Sequence, residues 1–466
     1  MINNSILLLK KEGKLQITIG NKKKISTSLS ATIGQAFVSL CSAILYASLY
    51  FKFGASGTNA NFFIYLSFTT LIPSIFLYWF QHNPQLNIAF SLVHSSRKEI
   101  FQKYNLLALF SAFCGTLIFF ISSRFVETLE VGTFISIFIG TYLTVLLLVL
   151  QNYMIFKGRQ FRANSINFIP TCVVIAGVWL GNSEVFIAYH LSGLIIAFAH
   201  LLYWTLTDRK YIWKNANDLE VPSAESELLG DKKWRDVVLI NNHSIQILGN
   251  IALRVIVANQ GPIIFELYFF AERIANMLYS TIAWAPINAI MVMQKMKFNL
   301  QDAFLLFNKL IKFSLILIVC GLLTAFAQDL FTIESLINFN ELEEARLILS
   351  WTSLLTLYFA IALFNTVLTS ILFMRMQLAK NLLISYLQII SVTSLYLITN
   401  LSTAIKMQIM IVGTAAFIRA IMIVNGNKDY LMSLLRSQKR KENFDSKVVI
   451  LYFLCLLLAL FVNIVK

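Results

Sequence analysis

The chain alternates long apolar stretches with short polar ones along almost its whole length. About thirteen of these stretches could cross a hydrocarbon core about 30 Å thick, which takes about 20 helical residues. The predicted spans are 29–51, 60–80, 105–122, 131–155, 165–181, 185–206, 237–257, 262–293, 305–327, 347–373, 382–400, 403–425 and 448–465. The pattern predicts an all-α integral membrane protein.

Polar side chains recur on one face of the first span. They are spaced alternately four and three residues apart, which places them on a single stripe of a helix. The stripe consists of Ser28, Thr32, Gln35, Ser39, Ser42 and Tyr46. Small hydroxyl groups also mediate close helix packing. The stripe therefore predicts either a helix contact or the wall of a cavity, and Gln35 favours the wall.

The seventh span carries polar residues on one face in the same way, and these are larger and cost more free energy to place in a membrane. His243, Gln246, Asn250 and Arg254 lie within an arc of about 80° on a helical wheel. A single histidine or asparagine is more often a core residue with satisfied hydrogen bonds. Four polar residues in register, ending in a guanidinium, indicate water or a polar ligand beside the helix.

The eighth span is polar over about half of its circumference. Its polar face consists of Glu266, Tyr268, Glu272, Arg273, Asn276, Tyr279 and Ser280. An ionised group near the middle of a membrane helix costs about 2.5–3.5 kcal/mol, so Glu272 and Arg273 need partners. Adjacent residues point about 100° apart and cannot form an ideal pair with each other. Each therefore meets either a ligand or a neighbouring helix, as Glu272 would if it paired with Arg254.

Arg419 lies in the inner half of the twelfth span. Its long side chain either reaches back towards the cytosol or faces the protein interior. In the second case Arg254, Arg273 and Arg419 stand against Glu266 and Glu272. Such a slightly basic cavity would favour an anion.

Composition and charge agree with a membrane protein of fixed orientation. Apolar residues make up 58% of the 466 residues and charged residues only 13%, too little polar surface for a soluble domain. The net charge of +15 is concentrated in the connections that are cytoplasmic if the N-terminus is cytoplasmic. We therefore expect a multi-pass protein of the cell (inner) membrane with a cytoplasmic N-terminus. Orientation explains the basic charge, so no nucleic-acid partner is expected.

Motifs for chemistry are not found in the sequence. The five cysteines fall in or beside apolar spans without paired spacing, which favours packing over disulfides or metal ligation. We see no phosphate-binding glycine loop, no metal-spaced histidine or cysteine set and no nucleophile elbow. No catalytic residues, no metal, no cofactor and no enzymatic activity are therefore expected.

Two blocks of six spans flank the longest polar connection. The predicted units are a basic cytoplasmic segment (1–28), an N-lobe (29–206), a cytoplasmic linker (207–236), a C-lobe (237–425), a second basic cytoplasmic segment (426–447) and a possible thirteenth transmembrane helix (448–466). At one offset, Phe156 matches Phe373, Gln160 matches Gln377 and Asn164 matches Asn381. Parallel repeats of this kind are a common transporter plan, with the substrate site between the halves.

The chain resembles the lipid-linked polysaccharide flippases of the multidrug/oligosaccharidyl-lipid/polysaccharide exporter superfamily, which move O-antigen repeat units. The resemblance covers residues 25–430 and rests on the six-plus-six plan and two stretches, LYFFAERIANMLYSTIAWAP and QNYMIFKGRQFRANSINFIP. It implies two lobes that open alternately to each side of the membrane around a water-filled cavity. The long basic N-terminal segment and the thirteenth span depart from the family plan.

The resemblance implies a flippase that carries an undecaprenyl-diphosphate-linked oligosaccharide from the cytoplasmic to the outer leaflet. Arginines would bind the pyrophosphate, the uncharged polar residues would meet sugar or water, and Glu266 and Glu272 would couple transport to a proton or sodium gradient. The arginines are Arg254, Arg273 and Arg419, and the uncharged residues are His243, Gln246, Asn250, Gln35, Asn276, Tyr268 and Tyr279. Expected partners are membrane lipids, a polysaccharide polymerase and a chain-length regulator, around a monomer.

Three other functions remain open. A cation-coupled drug or metabolite exporter of the same superfamily would need a buried acidic site, preferably in the first half, where buried acids are scarce. A membrane-embedded glycan polymerase or transferase would need larger outer loops. A pure assembly scaffold would not need three helices with continuous polar faces.

Overall fold

The computed structural model describes most of the predicted spans. The described residues are 10–11, 14–15, 21–54, 59–82, 97–123, 131–156, 159–181, 185–212, 249–250, 252–284, 300–330, 339–374, 400–426 and 454–459, with 383–384, 386–388, 390–391, 395 and 398 as short pieces.

The described chain is almost entirely helical. Its elements are β1 (Lys10–Lys11), β2 (Lys14–Leu15), α1 (Asn21–Phe53), α2 (Ala60–His82), α3 (Arg97–Ser123), α4 (Val131–Phe156), α5 (Gln160–Ser165), α6 (Phe168–Leu180), α7 (Phe186–Ile212), α8 (252–258), α9 (Pro262–Tyr279), a π-helix (Ser280–Trp284), α10 (Leu300–Leu330), α11 (Phe339–Met374) and α12 (Leu401–Gly426). The strands β1 and β2 pair antiparallel. Seven helices among the described residues are long and apolar enough to cross a membrane, which confirms the predicted all-α membrane fold.

Several helices differ from the predicted spans. Helix α1 begins at Asn21, inside the predicted basic segment. A short helix, α5, precedes the fifth predicted span, and a turn at 166–167 separates it from α6. The eighth span changes from α-helix to π-helix at Ser280, shortly before Pro286 in the sequence. A π-turn inserts an extra residue and re-aims the side chains that follow, which a regular wheel cannot predict. Residues 454–459 are helical within the predicted thirteenth span.

Two glycines shape the connections on one side of the bundle. Gly181 adopts a left-handed φ of 110° and caps α6, its N–H bonding to the Gly177 carbonyl at 3.1 Å. Gly261 has a φ of 111° and precedes Pro262 at the start of α9. Only glycine adopts such angles without strain, and proline suits a first helical turn. These residues fix sharp entries to α7 and α9.

Apolar residues form one core shared by both halves and a smaller one confined to the first half. The shared core takes residues from the end of α1, the beginnings of α2 and α7, and helices α9, α10, α11 and α12. The smaller core lies near the beginning of α3 and the ends of α4 and α7, with Ala163 and Ile166. The first half is therefore joined to the second at the side of the membrane where α1 ends and α2 begins.

Helices α6 and α7 touch backbone to backbone at Gly193. A Cβ atom added there would lie 2.5 Å from the Cα atom of Pro170. Small residues permit such close approach, and the van der Waals contact it gives stabilises helix pairs in a bilayer.

We expect Gly193→Ala to lower the free energy of unfolding by about 1–3 kcal/mol, because the added methyl group forces the two helices apart. Thermal unfolding of the purified full chain in detergent measures the change. Gly132→Ala is the matched control, since a Cβ atom at Gly132 meets nothing within 4 Å. Equal loss of stability in both variants would contradict this packing.

Candidate functional site

Helix α9 lies at the junction of the two halves. Its Phe270 ring contacts Tyr46 of α1, with ring centroids 6.3 Å apart. Its Tyr268 ring contacts Trp351 of α11 at 6.4 Å. Side chains of α9 therefore contact helices of both halves of the protein.

Glu272 pairs with Arg254, one of the two arrangements that the sequence left open. The Nη2 atom of Arg254 donates to Oε1 of Glu272 at 2.7 Å, and both side chains are about nine-tenths buried. Such a pair removes two charges from contact with lipid, although each charge still has to lose its water. Arg254 Nε, Arg254 Nη1 and Glu272 Oε2 are buried and have no hydrogen-bond partner among the described residues.

Glu266 joins α9 to the beginning of α2. Its Oε1 atom accepts a hydrogen bond of 2.6 Å from the backbone N–H of Asn59, and both residues are fully buried. The Asn59 carbonyl in turn accepts the first helical bond of α2, from Phe63 at 3.0 Å. A carboxylate at a helix N-terminus is stabilised by the helix dipole. This contact ties the two halves together.

Aromatic rings reinforce the same junction. Phe63 and Phe269 stack with centroids 4.4 Å apart and an interplanar angle of 13°. Tyr50 of α1 donates to Oε2 of Glu344 on α11 at 2.9 Å. We call the region formed by Asn59, Phe63, Glu266 and Phe269 the closed end.

Arg273 is more exposed than Glu266 and Glu272, the other two charged residues of α9. It is half-buried, and its Cζ atom lies 4.4 Å from the centroid of the Phe269 ring, one helical turn earlier. Such a cation–π contact contributes up to about 2 kcal/mol when desolvated. The same Phe269 ring contacts Tyr46 and Phe63 of the first half, so the guanidinium lies beside the junction.

Two adjacent nitrogens of Arg273 have no partner. Nε and Nη2 are buried and make no hydrogen bond to any described residue. These two N–H groups point the same way from one edge of the planar guanidinium, the geometry that takes two oxygens of a phosphate or carboxylate. In Arg254 the unpaired nitrogens are Nε and Nη1, which do not lie on the same edge of the guanidinium. The nitrogen that shares an edge with Nε is Nη2, and it donates to Glu272. Arg273 alone of this pair presents a free bidentate edge.

The polar stripe of α1 faces the second half. Gln35 Nε2 donates to Ser280 Oγ at 3.3 Å, and the hydroxyls of Ser39 and Thr281 lie 2.6 Å apart. Ser280 and Thr281 both belong to the π-helix. At these positions the stripe makes a helix contact, the first of the two interpretations of the sequence.

The remaining predicted residues lie at varied depths. Tyr268 is 1% exposed. The half-buried Tyr279 stacks on Phe359 with centroids 5.2 Å apart. Asn250 and Asn276 are helical and half-buried. His243 and Gln246 lie outside the described residues.

Arg419 faces the interior and does not reach the cytosol. It is 0% exposed, and its Nη1 atom donates to Oδ1 of Asn365 on α11. This result resolves the alternative left open by the sequence. The guanidinium is enclosed between α11 and α12.

Two polar pairs were missed by the sequence reasoning. Tyr65 of α2 and His190 of α7 are joined by a bond of 3.0 Å between the hydroxyl and Nδ1. Gln408 Nε2 donates to the Tyr358 hydroxyl at 3.0 Å, and a Cβ atom at Gly249 would lie 2.1 Å from that Nε2. Each pair contains a histidine or glutamine inside an apolar span, and that signal was available.

The described residues suit anion recognition better than metal chemistry. No group of three or more histidine, cysteine or acidic residues that could hold a metal occurs in the described part of the chain. Among the described residues, Arg273 has two unpaired donors on one edge, whereas Glu272 has one unpaired oxygen and is already ion-paired with Arg254. The arrangement can therefore bind an oxyanion at the junction.

We expect Arg254→Met or Glu272→Gln alone to lower the free energy of unfolding by about 3–5 kcal/mol, because each leaves one buried charge uncompensated. The double variant should be less destabilised than the sum of the single variants. Thermal unfolding of the full chain in detergent measures all three. Strict additivity would show that the two side chains do not interact.

No protein-family model and no curated protein matches this sequence. Solved structures do match its fold. A chain named "protein A" has a TM-score of 0.59 at 13% identity, over 88% of this chain and 96% of that one. A MOP superfamily transporter from Pyrococcus furiosus has a TM-score of 0.53 at 12% identity, over 86% and 94%. A MATE structure in complex with MaL6 has a TM-score of 0.55 at 14% identity, over 88% and 97%. The chain therefore shares the two-lobe, twelve-helix fold of these transporters, as the sequence predicted.

Proposed function

We propose that the protein is a flippase that moves an undecaprenyl-diphosphate-linked oligosaccharide, an O-antigen or capsule repeat unit, from the cytoplasmic to the outer leaflet. The observation that supports this function most is the free edge of Arg273. Its buried Nε and Nη2 have no partner among the described residues, and guanidinium edges of this kind bind phosphate oxygens bidentately. A diphosphate headgroup would supply those oxygens.

The location of Arg273 suits alternating access. The guanidinium lies on α9, against the Phe269 ring that stacks on Phe63 of the first half. A ligand held there would lie beside a contact that changes whenever the halves move. Binding sites at the interface of two repeats are the common plan of secondary transporters.

The other predicted residues have secondary roles in this proposal. Arg254 and Arg419 add positive charge behind the site, while Gln35, Asn250 and Asn276 offer hydrogen bonds to sugar or water. His243, Gln246, Tyr268 and Tyr279 complete the polar set. Coupling to a proton or sodium ion would require Glu272 to leave Arg254, or Glu266 to leave Asn59, since both bonds are present in this conformation.

Lipids and enzymes are the proposed partners. The polyprenyl tail would remain among membrane lipids while the headgroup crosses between the halves. A polysaccharide polymerase and a chain-length regulator would use the product in the outer leaflet of the inner membrane. With a cytoplasmic N-terminus, the closed end faces outwards, so this conformation would accept substrate from the cytosol.

A cation-coupled drug or metabolite exporter is the alternative function. It draws support from the fold shared with MATE structures. The Pyrococcus furiosus transporter is described as having a binding pocket of reverse polarity that suggests a different function, so the fold accommodates pockets of different charge. A cationic drug would need an unpaired buried carboxylate. Among the described residues, the charge of Glu272 is balanced by Arg254, which favours the anionic substrate.

We expect Arg273→Ala to slow transport of a fluorescent short-chain prenyl-diphosphate sugar in proteoliposomes by about tenfold or more. Hydrogen bonds to charged groups contribute about 1.5–3 kcal/mol each, and about 1.4 kcal/mol corresponds to tenfold. Arg273→Lys should be intermediate, because lysine keeps the charge and loses the bidentate edge.

Arg162→Ala is the matched control for this assay. Arg162 is exposed, lies in the short helix α5 of the first half and packs on Trp204, its Cζ atom 5.0 Å from the ring centroid. Its variant should transport normally. Normal transport by the Arg273→Ala protein, or export of ethidium with no transport of the diphosphate sugar, would overturn the proposed function.

A further inference from the structure

The Phe269 ring makes two contacts with different consequences. It lies 4.4 Å from the Cζ atom of Arg273 on its own helix. It also stacks at 4.4 Å on Phe63, which belongs to α2 in the other half. Both rings are 0% exposed. The residue that supports the candidate anion-binding guanidinium is therefore also part of the closed end.

A ring beneath a guanidinium fixes its orientation without using its donors. The cation–π contact is an attraction between the positive charge and the ring face, whereas hydrogen bonds to an anion lie in the plane of the guanidinium. Phe269 can hold Arg273 while Nε and Nη2 remain available for an anion. Phe269 is thus a positioning residue for Arg273, and it need not touch the ligand itself.

Phe63 restricts the orientation of the Phe269 ring, and that ring in turn contacts Arg273. The near-parallel stack with an interplanar angle of 13° leaves the Phe269 ring little freedom while the halves are joined. Tyr46 adds a third wall, its ring 6.2 Å from that of Phe269. When the halves separate at the closed end, Phe63 and Tyr46 leave, and the Phe269 ring gains room to turn.

We propose that Phe269 couples anion binding at Arg273 to the closed end: the anion binds tightly while Phe63 and Phe269 are stacked and is released when they part. This inference rests on the proposed function of Arg273. Coupling of this kind is reciprocal, so the bound anion must also hold the closed end shut. Opening of the closed end would then expel the ligand on that side of the membrane.

The test uses a substitution in the half that does not carry Arg273. Phe63→Leu removes the stacked ring and leaves α9 unchanged. Phe62→Leu is the matched control, because Phe62 is a neighbouring buried phenylalanine of α2 whose ring partners are Phe63, Tyr65, Phe186 and His190. Phe63→Met repeats the test with a second side chain, in case the leucine variant is unstable.

Binding of farnesyl diphosphate to the purified full chain in nanodiscs is measured by calorimetry, with farnesol as the uncharged control. We expect Phe63→Leu and Phe63→Met to weaken the affinity at least about fivefold, the lower end of typical coupling between sites. Phe62→Leu should bind as the wild type does. A merely structural role for Phe63 would lower thermal stability in both positions and leave the affinity unchanged.

A distance measurement tests the reciprocal effect. Spin labels at Phe51, 85% exposed in α1, and Ile263, 46% exposed in α9, report the separation of the halves in a chain whose native cysteines are replaced. Farnesyl diphosphate should raise the population of the short distance in the wild type, and much less in Phe63→Leu.

The outcomes separate this inference from the proposed function. If the wild type binds farnesyl diphosphate and Arg273→Ala does not, while Phe63→Leu and Phe63→Met bind normally, the coupling is wrong and the proposed function stands. If the wild type does not bind farnesyl diphosphate, both are wrong. If binding depends on Arg273 and is weakened by both Phe63 substitutions but not by Phe62→Leu, the results support both the proposed function and the coupling.

Discussion

A charged side chain inside a membrane has to find a partner, and this constraint accounts for the arrangement of α9 and its neighbours. Glu272 meets Arg254 across a 2.7 Å bond, and Glu266 meets the N–H of Asn59. Each contact satisfies a group that would be costly in lipid. The first lies within the second half of the protein, whereas the second holds the two halves together. Arg273 departs from the pattern because Nε and Nη2 lack a partner among the described residues.

The unpaired edge of Arg273 indicates a ligand site because neighbouring side chains hold the guanidinium in place. A ring beneath the guanidinium supplies a contact that does not use its N–H groups. The same ring stacks on Phe63 from the other half. An unpaired donor edge, held in place at the junction of two lobes, is typical of a ligand site in a protein that changes the spacing of those lobes. The fold shared with known transporters has two lobes, and the proposed function requires them to move relative to each other.

The sequence predicted the fold and the polar faces well, because both follow from the bilayer. Lipid demands apolar lengths of about 20 residues, and the positions of polar residues on a helical wheel show which faces avoid lipid. The helical wheel placed Glu266, Glu272 and Arg273 on one face of α9. The need to compensate a buried charge made Arg254 one candidate partner for Glu272.

Depth and local geometry could not be predicted in the same way. A wheel assumes regular helices and so missed the π-helix that brings Ser280 and Thr281 to Gln35 and Ser39. It also says nothing of distance from the interface, so the full burial of Arg419 against Asn365 remained open until the packing was known. The Phe63–Phe269 stack depends on two helices far apart in sequence, and aromatic residues are too common here to mark it.

The central claim is that the free edge of Arg273 binds a diphosphate, and a cryo-EM structure of the full chain with farnesyl diphosphate tests it most directly. The account predicts phosphate density within hydrogen-bonding distance of Arg273 Nε and Nη2, with the Phe63–Phe269 stack intact. A structure in which a protein side chain occupies that edge, and the diphosphate lies elsewhere or is absent, would contradict it.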